Sequence, residues 1–329
     1  MTRPRSELVS PADTPYYHCI CRCVRRAYLC GEDRLTGQDF NHRKRWVLAR
    51  LQQLQKVFTI DLCAYAVMAN HYHLVVHVDT AAAEALSESE VVARWHHLFQ
   101  LPVLVACYMA GTADNEAEQL AAQGIIAGWR RRLSDLSWYM RCLNEHIARK
   151  ANEEDNCKGR FWEGRFRSQA ILDDVGLLAC MTYVDLNPLR AGVVNKPEDS
   201  VDVSLHQRIR HYARSNKHTL GGQAQGLALL PFIDHFHLDN EKGIPFSFAD
   251  YLQLVDWAGR VSREAKAGVI AADAPPILVR LGLDTAGFLA ALEPHHLSRG
   301  SVIGRGASRI RYAQAHHRRC VQGPSFSTS

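Results

Sequence analysis

The stretch FTIDLCAYAVMANHYHLVVHV, residues 58–78, limits the possible folds more than any other part of the chain. It holds two runs of strand length, rich in β-branched and aromatic residues, separated only by residues 68–70. A connection this short joins neighbouring antiparallel strands. The sequence therefore predicts a β-hairpin whose second strand carries His71, His73 and His77.

The segments around the hairpin alternate between strand and helix patterns. A period of two predicts strands, and apolar side chains at helical spacing predict helices. In chain order they are a strand, a helix, the hairpin, a long helix, a strand and a helix, over residues 17–24, 39–58, 58–78, 133–154, 159–172 and 173–188. The last helix has a cap at Asp173 or Asp174 and stops at Pro188. This β-α-β-β-α-β order predicts an α+β protein with a ferredoxin-like (RRM-like) core, an antiparallel sheet and one added helix.

The rest of the chain is expected to add helices to this core. Residues 80–132 are alanine-rich, which predicts a helical insertion within a domain over residues 1–200. Amphipathic segments predict a mainly helical C-terminal region over residues 201–310. We expect the basic tail, residues 311–329, to be disordered.

The composition is that of an ordinary globular protein, with a net charge of +5 and a hydrophobic content of 47%. The longest apolar run, near residues 101–111, is too short to span a bilayer, and the first residues lack an apolar stretch of the secretory type. We therefore expect a cytoplasmic protein with no membrane partner. The same compartment predicts free thiols for the ten cysteines.

The arginines are clustered, and each cluster taken singly is typical of a solvated face. The exception is the stretch over residues 160–167, where arginines alternate with aromatic rings. Rings beside cations suit single-stranded nucleic acid, because its bases can stack on them.

His71 and His73 are the first half of a candidate metal site. Side chains two apart on a strand share a face and are separated by roughly 6.6 Å, whereas His77 lies another ~13 Å along the strand. The pair can therefore share one cation that His77 cannot readily reach. Taken alone, a polar pair on a half-exposed strand is more often structural.

Tyr183 and Asn187 are the second half. They are four residues apart in MTYVDLNPLRAG, so they share a face of the predicted helix that is distinct from its core stripe. Two neutral imidazoles and an amide oxygen can hold a divalent ion without cancelling its charge, and such an ion acts as a Lewis acid on a phosphodiester. A phenolate of Tyr183 could then attack phosphorus and form a phosphotyrosine. Taken alone, Tyr183 is better interpreted as a core tyrosine and Asn187 as a helix-end amide. Only the combination of these two residues with His71 and His73 favours catalysis.

Three motifs in one order resemble a known family. VMANHYHLVV is similar to the His-hydrophobic-His motif of the HUH single-tyrosine transposases, and YVDLNPLRAGVV resembles the tyrosine helix of their REP-associated tyrosine transposase branch. GRFWEGRFRSQAIL resembles the run before the family's last strand. The resemblance covers residues 15–200. It leaves residues 80–132 as an unusually long link and residues 200–329 uncovered.

The resemblance implies a single-strand DNA endonuclease and strand transferase that uses Mg²⁺ or Mn²⁺. By motif position, Tyr183 is the nucleophile, His71 and His73 are the metal pair, and Asn187 is the third ligand. Cleavage in this family leaves a 5′-phosphotyrosine and a free 3′-hydroxyl, typically on hairpin DNA with a single-stranded flank, and we expect a monomer or homodimer. The arginines expected to contact DNA are Arg22, Arg25, Arg160, Arg165, Arg167 and Arg190.

Two other functions fit the same residues. One is a non-catalytic ferredoxin-like module that binds structured nucleic acid, a domesticated relative of the enzymes. The other is an unrelated metal hydrolase that uses His71, His73 and His77, which the strand geometry and the lack of an aspartate within the motif disfavour. A covalent protein–DNA adduct separates the first of these from the enzyme.

Overall fold

The computed structural model describes residues 4, 7–24, 28–33, 36–194, 199–215, 226–233, 242–264, 275–324 and 326. The strands in this part of the chain are β1 (Tyr16–Arg22), β2 (Ile60–Val67), β3 (His71–Val78), β4 (Arg167–Ile171) and β5 (Val302–Ile303). The helices are α1 (His42–Gln55), α2 (Thr80–Ala85), α3 (Glu88–His96), α4 (Val103–Met109), α5 (Glu116–Leu133), α6 (Leu136–Glu154), α7 (Asp174–Asp185), α8 (Asn187–Arg190), α9 (Ser204–Ser215), α10 (Phe248–Glu264), α11 (Pro276–Arg280), α12 (Thr285–Ala291), α13 (Pro294–Leu297) and α14 (Gly306–Ala315).

The strands form one sheet in the order β2-β3-β1-β4-β5. β1 lies between β3 and β4 and is antiparallel to both, while β2 and β3 pair as the predicted hairpin. β5 joins the far edge and runs parallel to β4. The predicted α+β class is confirmed. The sheet is mixed rather than wholly antiparallel, because a two-residue strand too short to show a periodic pattern comes from the C-terminal region.

The sheet separates two apolar cores, because alternate residues of a strand point to opposite faces. On one face, Tyr17, Cys19 and Cys21 of β1 pack with α1, α5 and α6. On the other face, α7 packs against β2 and β3, and α10 packs on α7. The histidines of β1 and β3 lie on this second face. All ten cysteines are free thiols, as predicted.

α7 is buried on all sides, which differs from the amphipathic helix that the sequence predicts. Every residue of Val175–Asp185 is buried, because the sheet covers one side of the helix and α10 packs against another. Gly176 allows β5 to approach closely, since a Cβ there would lie 2.8 Å from the carbonyl oxygen of Ile303. The C-terminal region is therefore part of the core that holds the tyrosine helix.

The tyrosine helix is also shorter than predicted. Its N-cap is Asp173, whose carboxylate accepts a hydrogen bond from the backbone N–H of Gly176 (2.8 Å). α7 ends at Asp185, and Asn187 begins the short helix α8. Pro188 explains the break, because it has no N–H to continue the hydrogen-bond ladder of α7. Asn187 still lies one turn beyond Tyr183.

The tail is ordered in the part that the structure describes, in contrast to the expected disorder. Gly306–Ala315 form α14, and Val321 and Phe326 are buried. The carbonyl oxygen of Gln322 accepts a hydrogen bond from the backbone N–H of Ser301 (3.0 Å), next to β5. Apolar side chains of the tail thus pack at the edge of the sheet.

Among the described helices, none combines the length and apolar character needed to cross a lipid bilayer.

Removal of the Asp185 carboxylate should destabilise the fold strongly. This side chain is fully buried at the end of α7 and accepts hydrogen bonds from Ser204 Oγ (2.6 Å), the N–H of Leu205 (3.0 Å) and Tyr251 Oη (2.5 Å). Asp185→Ala would leave these donors unpaired, so we expect the free energy of unfolding in urea to fall by about 3 to 5 kcal/mol.

The matched control is Asp256→Ala on α10, where an exposed carboxylate pairs with Arg260 (2.7 Å). Because exposed ion pairs stabilise proteins little, the expected loss is below about 1 kcal/mol. Equal losses for the two variants would contradict the anchoring role of Asp185.

Candidate active site

The four residues of the predicted site lie side by side. His71 and His73 share a face of β3, with ring centroids 4.9 Å apart. The ring of Tyr183 lies 5.5 Å from that of His73, nearly perpendicular to it, and the Asn187 side chain lies beside the Tyr183 hydroxyl. Asn187 Nδ2 is 3.3 Å from His73 Nε2. Two motifs more than a hundred residues apart thus meet where α7 crosses the sheet.

The residues of the site differ in their exposure to solvent. His73 and Tyr183 are 2% and 4% exposed, whereas His71 and Asn187 are half-buried. Arg22 pairs with His71 across the β1–β3 ladder and is exposed. A ligand would therefore enter past Arg22, His71 and Asn187.

Burial keeps both histidines neutral. It lowers the pKa of His71 to about 4, and the charge of Arg22 contributes in the same direction. The pKa of His73 is lowered well below its usual range, first by burial and then by His18, His71 and Arg22. Neutral imidazole is the form that binds metal ions, so the pair is ready to act as ligands at neutral pH.

The hydroxyl of Tyr183 is held as a neutral phenol. Burial raises its pKa, whereas the hydrogen bond from Asn187 and the charges of Arg190 and Arg22 lower it. Additional positive charge next to the phenol would shift this balance toward the phenolate.

Two residues that the sequence patterns do not predict, His18 and Gln169, also belong to the site. His18 Nε2 lies 2.9 Å from His73 Nδ1, and His18 Nδ1 lies 2.9 Å from Gln169 Oε1. Both side chains are fully buried, and burial lowers the pKa of His18 to about 4. The sequence gives one indication of their role: His18 and Arg22 are an even number of residues apart, so they lie on the same face of their strand. This shared face points to the site only because β1 lies beside β3, and the sequence does not show that the two strands are neighbours.

The amide of Asn187 presents its nitrogen, rather than its oxygen, to His73. For the proposed third ligand, this orientation matters, because only the amide oxygen can coordinate a cation. Asn187 would have to rotate its amide by half a turn to become a ligand.

The arginines predicted to contact DNA differ in their surroundings. Arg22, Arg160, Arg165 and Arg167 are exposed, and Arg167 donates to the carbonyl oxygen of Ser298 (2.6 Å). Arg25 lies outside the described residues.

Arg190 does not point to solvent. Its guanidinium donates to the carbonyl oxygen of Leu292 and to Ser262 Oγ (3.4 Å), and burial lowers its pKa. Its contacts are those of a residue that joins the end of the tyrosine helix to the C-terminal helices.

The aromatic rings at residues 160–167 are not available for stacking on bases. Phe161, Trp162 and Phe166 are buried, and Trp162 Nε1 donates to the carbonyl oxygen of Asn144 (2.9 Å). The sequence pattern is misleading because the rings fill the core while the arginines between them stay exposed.

A second cluster lies farther along β3 on the same face. Ligand atoms of Asp61, His77 and Asp79 lie within 4.8 Å of one another, so these three residues could hold a metal ion. His77 Nδ1 is 3.1 Å from Asp61, its neighbour across the β2–β3 ladder. The ammonium of Lys242 lies 2.6 Å from Asp61 and 2.7 Å from Asp79, so it pairs with both carboxylates and offsets part of their charge. A metal ion would have to displace it.

No known protein family matches the chain, and no curated protein matches it either. Among solved structures, the chain is similar to a REP-associated tyrosine transposase bound to a REP hairpin. The two are 14% identical with a TM-score of 0.37, and the alignment covers 69% of this chain and 96% of that one.

Replacement of Lys242 by methionine should raise the pKa values of Asp61 and Asp79. Burial acts to raise both pKa values, but hydrogen bonds lower them on balance: from His77 and Lys242 to Asp61, and from Lys242 and the N–H of Ala82 to Asp79, with the charge of Lys242 acting in the same direction. A lowered carboxyl pKa stabilises the folded state above about pH 4, and this stabilisation is lost as pH falls through the folded-state pKa. In urea unfolding, Lys242→Met should therefore be less stable than wild type at about pH 7, with a deficit that shrinks toward about pH 3.

The control is Lys158→Met, which removes an exposed lysine. It should change the free energy of unfolding by less than about 0.5 kcal/mol at either pH. If the deficit of Lys242→Met were the same at both pH values, the ammonium would not be acting on the two carboxylates.

Proposed function

We propose that this protein is a metal-assisted single-strand DNA endonuclease and strand transferase with Tyr183 as its nucleophile. One observation carries the proposal: His71, His73, Tyr183 and Asn187 converge, with Asn187 3.3 Å from His73 and the Tyr183 ring 5.5 Å from it. The sequence motifs that resemble HUH transposases supply the same four residues.

A ferredoxin-like core is part of this proposal. It is supported by the chain order β1, α1, β2, β3, α6, β4 and by the antiparallel sheet order β2-β3-β1-β4. In a core of this kind the two central strands, β1 and β3, lie side by side. The metal pair on β3 then faces the added helix α7.

The donor set fits a divalent ion. His71 Nδ1 is engaged by Asn70 (2.7 Å) and His73 Nδ1 by His18, so the opposite nitrogen of each ring would bind the metal. At His73 this requires the Asn187 amide to rotate, because its Nδ2 now lies 3.3 Å from His73 Nε2. Outer hydrogen bonds of this kind orient metal-binding imidazoles. With Asn187 they give two nitrogen ligands and one oxygen ligand, a set that suits Mn²⁺ better than Mg²⁺, which prefers oxygen. A bound ion would supply positive charge beside the scissile phosphodiester and the phenol.

In the proposed reaction, the Tyr183 oxygen attacks the phosphorus of a phosphodiester. A bond forms between Tyr183 Oη and phosphorus, the bond from phosphorus to the 3′ oxygen breaks, and the phenol proton is transferred overall to that oxygen. The products are a 5′-phosphotyrosine and a free 3′-hydroxyl. Attack by the 3′-hydroxyl of another strand reverses the step and joins the two DNA ends.

The proposed DNA substrate is a hairpin with a single-stranded flank. Arg22 lies at the open side of the site, and Arg160 and Arg165 are exposed on the segment that leads into β4. Their charges suit a phosphate backbone and would position the strand rather than read its sequence.

Tyr183→Phe should abolish covalent attachment to DNA while DNA binding is kept, because only the hydroxyl is removed. The assay incubates the protein with Mn²⁺ and a pool of flanked hairpins, then detects adducts on a denaturing gel. The polarity of cleavage gives a sharper test: a 3′-end label should travel with the protein, and a 5′-end label should be released.

The control is Tyr212→Phe, an exposed tyrosine on α9, which should form adducts at the wild-type level. DNA binding without any adduct in the wild type would favour the non-catalytic binding module. Cleavage that survives Tyr183→Phe without an adduct would favour a metal hydrolase.

His71→Ala and His73→Ala should each weaken Mn²⁺ binding by at least about tenfold, because each removes a proposed ligand. Binding is measured by titration of the DNA-free protein, with electron paramagnetic resonance of free Mn²⁺ as the readout. His77→Ala is the matched control from the same strand and should leave the affinity unchanged. If His77→Ala alone reduced binding, the ion would belong to the Asp61, His77 and Asp79 cluster.

A further inference from the structure

Gln169 on β4 has a fixed amide orientation. Its Nε2 donates to the backbone carbonyl oxygens of Leu297 (3.0 Å), Arg299 (3.0 Å) and Gly300 (3.3 Å). Carbonyl oxygens only accept hydrogen bonds, so the opposite amide orientation would bring oxygen against oxygen. Gln169 Oε1 must therefore face His18 as an acceptor.

This orientation determines which nitrogen of His18 carries the proton. His18 Nδ1 lies 2.9 Å from Gln169 Oε1, an acceptor, so Nδ1 must be the protonated nitrogen. The ring is fully buried, and no carboxylate among the described residues hydrogen bonds to it, so it is neutral. A neutral imidazole has one N–H, which leaves His18 Nε2 as an acceptor.

The acceptor at His18 Nε2 in turn determines the tautomer of His73. His73 Nδ1 lies 2.9 Å from His18 Nε2 and must donate to it, so His73 is protonated at Nδ1. Its Nε2 then carries a lone pair, and it faces Asn187 Nδ2, a donor, at 3.3 Å. Every polar atom in the series has a partner of the opposite kind.

We infer that the carbonyl groups of residues 297–300, Gln169 and His18 form a hydrogen-bond relay that holds His73 in the Nδ1–H tautomer and turns its Nε2 lone pair toward the site. Gln169 and His18 are positioning residues: neither faces the opening, and both act through His73. The consequence for metal binding rests on the function proposed above, whereas the tautomer itself does not.

The relay makes the C-terminal region part of the site. Residues 297–300, at the end of α13 and just after it, lead into β5, which is joined to β4 by the hydrogen bond from the N–H of Ala170 to the carbonyl oxygen of Ser301 (2.9 Å). Gly300 has φ +79°, and a Cβ there would lie 1.9 Å from the carbonyl oxygen of Gln322. β5 and the tail thus hold the carbonyl groups against Gln169.

The test is nitrogen NMR of the full chain labelled with ¹⁵N-histidine, without metal or DNA and at neutral pH. The shifts and couplings of the two ring nitrogens distinguish the tautomers, and His73→Gln assigns the His73 signals. We expect both His18 and His73 to be protonated at Nδ1 only. Protonation of either ring at Nε2 would overturn the relay, and this measurement on the wild type requires no altered protein to fold.

His18→Leu removes the acceptor of His73 Nδ1–H, so His73 should move to the Nε2–H tautomer or to a mixture. His18→Gln can still offer an amide oxygen, so it should keep His73 protonated at Nδ1. His97→Leu, on an exposed residue of the insertion, is the control and should change nothing. Near-ultraviolet circular dichroism checks that each variant is folded. A folded His18→Leu with an unchanged His73 tautomer would overturn the inference.

Mn²⁺ affinity separates this inference from the proposed function. His18→Leu should bind Mn²⁺ about 10- to 100-fold more weakly, with recovery in His18→Gln. If the tautomers are as expected but no DNA adduct forms, the relay stands and the proposed function fails. If adducts form while His73 is protonated at Nε2, the function stands and the relay fails.

Discussion

The antiparallel pairing of β1 with both β3 and β4 is the constraint on which the rest of the structure depends. Its register sets His18 opposite Gln169 on one neighbour and Ile20 opposite His73 on the other. Because side chains alternate, the same register turns Tyr17 and the cysteines of β1 to the opposite core. A shift of one residue would exchange the two faces and place the histidines in an apolar layer. The hydrophobic pattern of β1 thus fixes the polar site as well.

The C-terminal region surrounds the tyrosine helix α7 on the sides that the rest of the sheet does not cover. α10 and β5 enclose α7, so Tyr183 lies on a helix with no solvated side. A buried helix cannot easily turn or shift, and its last residue, Asp185, is bound to Ser204 and Tyr251 of the region that covers it. Burial acts to raise the pKa of the phenol at the same time. Burial therefore accounts both for the rigid position of α7 and for the protonated phenol of Tyr183.

Much of the fold follows from local sequence patterns, and the site follows only in part. The hairpin and the tyrosine helix lie where periodicity predicts them, because period and capping are local properties. His71 and His73 could be identified from the sequence for the same reason. His18 and Gln169 could not, since their roles depend on which strands are neighbours, and a single sequence does not contain the sheet order. The burial of Trp162 was missed likewise, because a ring beside arginines has the same pattern in a core as on a DNA surface.

The two histidine clusters of β3 differ in what a cation bound to them could do. Asp61 and Asp79 carry two negative charges, of which Lys242 offsets one, and carboxylates repel a phosphodiester. His71 and His73 are neutral, with no carboxylate of the described residues hydrogen bonded to either ring. An ion held by them would keep its charge for an anionic substrate. For chemistry on DNA, the pair without acidic partners is therefore the better site, although the other cluster resembles a metal site more closely by ligand count.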